Sequence, residues 1–166
     1  MDVFIEKLVK RQKTIVDILL IILIIAGTLL LSYLIMMFIP QFAMILIIGL
    51  FYLAYVLISK LNIEYEYALT NGELDIDMII NQKQRKRLLS VNCKDFDVVA
   101  KVNSLQYTKE IKECKNKKDY SSRSKNAEVW FISMIKDGQP TVILFEPMER
   151  MIENFAIYIP RKVFKN

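Results

Sequence analysis

The chain has 166 residues, a formal charge of +5 and no histidine. The missing histidine removes imidazole acid–base chemistry, histidine-containing triads and the commonest metal ligand. The charge is too modest to make nucleic acid a first expectation, and the 54% hydrophobic content is concentrated in one block.

Residues 1–17 carry Lys7, Lys10, Arg11 and Lys13. They are expected to form a short basic helix approaching a membrane, with Val3, Phe4, Leu8 and Ile15 along the interface and the lysines outward. The alternative is a basic anchor alone.

Residues 18–59 contain no Asp, Glu, Lys or Arg. A bilayer core of ~30 Å needs about 20 apolar helical residues. Residues 18–38 and 42–58 each supply a span, broken by Pro40-Gln41, so a transmembrane hairpin is expected. A secretory signal is the alternative, but two spans are favoured: the first apolar run is longer than the about 7–15 residues of a signal's apolar region, no small-x-small cleavage site follows it, and a second apolar run does. A buried hairpin in a soluble protein would need more covering surface than the rest of the chain offers. Lys10, Arg11 and Lys13 flank one end and Lys60 the other, while the turn carries no charge. Positive flanks favour the inner face, so a multi-pass cell-membrane protein with two spans and both termini cytoplasmic is expected. Spans free of ionisable groups point to an anchor rather than a transporter. Thr28 and Ser32 form a small-xxx-small pair suited to helix association.

After Lys60 the apolar period changes to two. Ile63, Tyr65, Tyr67 and Leu69 alternate with Glu64, Glu66 and Ala68. Asn71-Gly72 then provides a type I′ turn, and Leu74, Ile76 and Met78 follow. The two-residue turn fixes the register: Leu69 faces Leu74, Tyr67 faces Ile76, Tyr65 faces Met78 and Ile63 faces Ile80. The same register opposes Glu66 and Asp77, an unfavourable pair. A third strand over 84–91 would place Arg87 opposite Asp77 and Leu88 opposite Ile76.

Further strands are expected over 96–102, 105–111, 128–135 and 141–145. The rest of 104–126 reads as a long polar loop carrying Lys115, Lys117 and Lys118. Met148, Met151, Ile152, Phe155 and Ile159 follow a helical period, with Pro147 suited to the first helical position and Pro160 as the stop. The domains are therefore a segment 1–17, a hairpin 18–59 and a cytoplasmic domain 61–166.

The stretch Tyr65-Glu66-Tyr67-Ala68-Leu69-Thr70-Asn71-Gly72-Glu73-Leu74-Asp75-Ile76, followed by Arg85-Lys86-Arg87, resembles the opening of bacterial pleckstrin-homology-like (PH-like) domains. Phe145-Glu146-Pro147 and Pro160-Arg161-Lys162-Val163-Phe164 resemble the ending of a Firmicutes membrane-protein family with two transmembrane helices before a PH-like domain. The resemblance implies a strongly bent antiparallel sheet or barrel of about seven strands capped by a C-terminal helix, an α+β, mainly β, fold. PH-like folds bind lipid headgroups in some families and peptides or proteins in others, so fold alone does not choose.

Lys83, Arg85, Lys86 and Arg87 are the candidate binding residues for anionic lipid or an acidic partner. Against that, Arg87 can neutralise Asp77, and alternation points Lys86 away from Arg85 and Arg87. Glu73, Asp75 and Asp77 share a strand face but lack calcium-loop spacing. Trp130, Phe131 and the Met148–Phe155 stripe can line a peptide groove or form core. Cys93 and Cys114 suit reduced structural thiols. With no catalytic constellation in view, the expectation is a non-enzymatic binding or scaffolding protein without metal or cofactor. Its partners are expected to be membrane lipids and a protein; the alternative is an anionic-phospholipid sensor.

Overall fold

The computed structural model describes residues 3–165. Strand β1 (Phe4–Lys10) precedes helices α1 (Ile15–Phe38) and α2 (Ala43–Ser59). Strands β2 (Ile63–Thr70), β3 (Glu73–Ile80), β4 (Gln84–Asn92) and β5 (Phe96–Lys101) follow. The rest comprises α3 (Lys109–Lys112), β6 (Asn116–Asp119), β7 (Trp130–Lys136), β8 (Gln139–Phe145), α4 (Glu149–Tyr158) and β9 (Val163–Phe164).

The strands form two sheets, ordered β1-β2-β3-β4 and β6-β8-β7-β5-β9, which are not closed into a barrel. The layout is nonetheless mainly β with a C-terminal helix, as the PH-like resemblance implies.

Residues 4–10 are not a membrane-approaching helix but a strand, antiparallel to β2, with Val9 opposite Tyr65 and Ile5 opposite Leu69. Val9 is buried and Ile5 packs against the same core, while Phe4, Leu8 and Ile15 are exposed. The period in this stretch is two rather than 3.6, and the partner that reveals it lies beyond the hairpin. The β-domain therefore begins before α1, and the hairpin is an insertion between its first two strands.

Helices α1 and α2 are both long and apolar enough to cross a membrane. Helix α1 starts three residues before the expected span because Thr14 and Asp17 form a capping box. The Asp17 backbone N–H donates to Thr14 Oγ1 at 3.3 Å, and the Thr14 N–H donates to Asp17 Oδ2 at 2.8 Å. Such a reciprocal cap satisfies orphan donors of the first turn. Pro40–Phe42 turns the chain between the helices. Most apolar side chains of the hairpin are exposed; those buried are small or polar, Thr28 in α1 and Ala54 in α2 among them. The Thr28 and Ser32 hydroxyls donate to carbonyls one turn back, so neither leaves an unpaired polar group in an apolar setting.

The β2–β3 hairpin has the register that Asn71-Gly72 dictates, including Glu66 opposite Asp77. Asn71 and Gly72 lie at φ 49° and 85°. A Cβ on Gly72 would stand 3.1 Å from Cys93 Sγ, a tight approach, and at this positive φ any side chain would be strained.

The next pair differs from expectation by one residue. Arg87 does oppose Asp77, but Leu89 rather than Leu88 opposes Ile76, because β4 carries a bulge there. Arg87 and Leu89 would share a face in a regular strand. The bulge shifts the phase, so Arg85 and Arg87 point outward while Leu89 and Val91 point into the core.

Residues 105–111 do not form a strand. Leu105 is 96% exposed, and a single helical turn, α3, follows. Lys117 and Lys118 lie not in a loop but in β6, which runs parallel to β8; β9 likewise runs parallel to β5, so the sheet is not wholly antiparallel. Pro147 lies just before α4 rather than at its first position, and Met148 caps it partly exposed.

The main core fills the space between the sheets and α4, with Tyr67, Leu69, Leu74, Ile76, Phe96, Phe145 and Phe155 among its members. Phe96 meets Phe155 edge-on at 5.5 Å, and Tyr67 meets Phe145 at 5.8 Å. A smaller cluster of Tyr107, Phe131, Val142 and Ala100 lies on the other face of the second sheet. Both faces of β7 are thus covered, which explains the consecutive apolar residues Trp130, Phe131 and Ile132. Trp130 and Phe131 serve these cores, as do Met151, Ile152 and Phe155.

Candidate functional site

The basic cluster does not converge on one pocket. Arg85 pairs with Glu66 and approaches Asp77 at 4.0 Å. Arg87 reaches Asp75 at 2.8 Å and Asp77 at 2.5 Å. Both guanidiniums thus lie over the carboxylates that the β2–β3 register crowds together. Glu66 and Asp77 are buried beneath them, so this is not a solvated acidic face. Burial, and then a hydrogen bond shared with Glu6, hold the Glu66 carboxyl above the ordinary carboxylate range, against the pull of Arg85. The neighbouring carboxylates, led by the hydrogen bond to Asp77, hold the Arg87 guanidinium all the more firmly charged. The expected neutralisation of Asp77 by Arg87 is therefore present. Lys83 and Lys86 are exposed, and neither has a carboxylate within 4 Å among the described residues.

The residues flanking the hairpin also separate. Arg11 is not a free anchor charge: its guanidinium donates to Asp17 Oδ2 at 2.6 Å, and its backbone N–H donates to Ile63 O at 3.0 Å. The Gln12 N–H donates to Ser122 O at 2.8 Å, and the Ser122 N–H in turn donates to the Glu146 carboxylate at 2.5 Å. These bonds tie the start of α1 to both sheets. Lys10, Lys13 and Lys60 are exposed.

At the foot of α2 a notch of about 180 Å³ opens between the helix and the β3–β4 turn. Tyr52, Tyr55, Val56, Ser59 and Lys60 form one wall, and Ile80, Asn81, Lys83 and Gln84 the other. The turn adopts positive φ at Asn81 and Gln82, and the Asn81 N–H donates to Asn62 O at 2.8 Å, which pins it beside the α2–β2 joint. Only Lys83 of the four expected binding residues reaches this notch, where it joins Lys60. The sequence places these two lysines more than twenty positions apart, and only the turn and its bond to Asn62 make them neighbours.

A larger groove, about 580 Å³, lies on the second sheet beside α3. Ile111, Cys114, Pro140 and Val142 supply apolar lining, with Lys115, Ser133 and Gln139 at polar positions. Sequence reasoning missed it because its wall is the turn at α3, taken there for a strand. Lys117 helps hold that wall: its ammonium lies 2.5 Å from the Tyr107 hydroxyl, with Lys112 5.5 Å from the centre of the Tyr107 ring.

Cys93 and Cys114 are both free. Burial pushes the Cys93 thiol above its ordinary value, which disfavours the reactive thiolate. Among the described residues, no group of three or more Cys, Asp or Glu side chains is placed to hold a metal ion.

Residues 1–165 match the family model described as "Bacterial PH-like domain (DUF6106)". No curated protein and no solved structure matches the chain.

Proposed function

The chain belongs to this bacterial PH-like family, and from that premise we propose that it is a non-enzymatic, membrane-anchored binding module that recruits a protein partner. The two apolar helices cross the bilayer, and the β-domain sits against its cytoplasmic surface.

The observation that carries this proposal is the pairing of β1 with β2 across the hairpin. A domain joined by one linker can swing away from its anchor. A domain whose first two strands continue directly into both helices is held at the bilayer. Lys10, Lys13 and Lys60 at that end of the hairpin, against an uncharged Pro40–Phe42 turn, support a cytoplasmic placement. The groove around Ile111 and Val142 has the apolar floor and polar rim of a peptide- or protein-binding site.

Photocrosslinking in native membranes tests this. A photoreactive residue at Gln139, in the groove, is expected to capture one specific protein that the same residue at Leu105 does not. Equal capture at both positions, or none, would overturn recruitment through the groove. Release of the protein by alkaline carbonate would overturn membrane anchoring.

A further inference from the structure

We infer that the notch at the foot of α2 is a binding site for one anionic phospholipid headgroup, with Lys60 and Lys83 as its cationic residues. The site rests on the membrane-anchored placement proposed above, but not on a protein partner.

Three observations meet there. First, the notch combines two kinds of lining. Tyr52, Tyr55, Val56 and Ile80 suit glycerol and the first acyl carbons, while Lys60, Lys83, Asn81 and Gln84 offer N–H donors to phosphate oxygens. Amphipathic tyrosines collect where hydrocarbon meets headgroup.

Second, both cations are uncommitted. Arg11, Arg85, Arg87, Lys101 and Arg123 are paired with carboxylates, whereas Lys60 and Lys83 have none within 4 Å among the described residues. The carbonyl end of α2, which Lys60 terminates, repels an anion. Attraction must therefore come from the lysines.

Third, the walls are fixed relative to each other. The Asn81 N–H bond to Asn62 O holds the turn against the helix end, so the backbones that carry the two lysines are held side by side before a lipid arrives. A second concavity at the hairpin foot, lined by Lys10, Arg11, Gln12, Lys13, Leu61 and Asn62, carries comparable charge but no tyrosine wall. It provides the control.

The test uses the full chain in phosphatidylcholine nanodiscs containing increasing phosphatidylglycerol, with tightly bound lipid counted by mass spectrometry after mild extraction. Wild-type protein is expected to retain phosphatidylglycerol in preference to phosphatidylcholine. K60Q/K83Q is expected to weaken that retention about tenfold, by the known attraction of basic residues to anionic surfaces, while K10Q/K13Q leaves it near wild type. Unchanged retention in K60Q/K83Q, or equal loss in K10Q/K13Q, would overturn the site. Displacement by millimolar inorganic phosphate would overturn the lipid in favour of a free anion. Trp130 fluorescence confirms folding of each variant, and carbonate extraction separates a failed anchor from a failed notch.

Discussion

Val9 and Tyr65 are direct partners in the β1–β2 ladder, although the entire helical hairpin lies between them in sequence. Both are buried in the main core. The hairpin is therefore an insertion in the sheet, and the domain is incomplete without the strand that precedes it.

Replacing residues 12–62 with Asn-Gly should join Arg11 to Ile63 through a type I′ turn and yield a cooperatively folding soluble domain. A chain beginning at residue 61 lacks β1 and should be less stable by about 3 kcal/mol or more, at ~1.5–3 kcal/mol for each buried aliphatic side chain lost. Chemical denaturation followed by Trp130, the only tryptophan, measures both. Equal stability of the two would mean that β1 contributes nothing.

Tyr67 bridges the two sheets. Its hydroxyl donates to Tyr120 O at 2.6 Å and accepts from the Glu146 N–H at 3.4 Å. Y67F strands those groups, and an unsatisfied buried polar group costs about 1–3 kcal/mol. A melting temperature unchanged from wild type would refute the bridge. Burial also pushes the Tyr67 hydroxyl well above its ordinary ionisation range. In an ultraviolet titration Y67F should show one fewer tyrosine than wild type that stays protonated until alkaline unfolding, Tyr120 being raised by burial as well.

Deleting Leu88 removes the bulged residue from β4. Either Leu89 and Val91 leave the core or Arg85 and Arg87 leave their carboxylates. A loss of roughly 2–4 kcal/mol is expected, in the range of large core truncations. L88A keeps the register and should cost much less. Similar losses from the two variants would show that the Leu88 side chain, not the bulge, matters.

Glu66 predicts a pH effect. Its carboxyl is held above its unfolded value, so the folded state favours the protonated form. Its contribution to stability is complete below the unfolded pKa and is lost as pH rises through the folded pKa. E66Q does not titrate. The stability of wild type relative to E66Q should therefore fall as pH rises from about 4 through the raised folded value. Parallel pH profiles for the two proteins would remove Glu66 as the source.

Local chemistry alone determined the parts of this protein that depend on near neighbours. Asn71-Gly72 with alternating flanks specifies the β2–β3 register because a two-residue turn permits only one pairing. The charge-free block specifies two long apolar helices, and the period of Met151, Ile152 and Phe155 specifies the buried face of α4. Tertiary structure decided what distant partners impose. β1 is a strand because β2 waits beyond the hairpin. Asn116–Asp119, with its two lysines, pairs with β8 although its composition carries no strand signal, since an edge strand gains its order from its neighbour's free hydrogen-bonding groups. The bulge in β4 reconciles outward arginines with inward leucine and valine only once both faces are occupied. Lys83 was legible as a candidate, but its position beside Lys60 was not, because the backbone bond from Asn81 to Asn62 brings them to one notch.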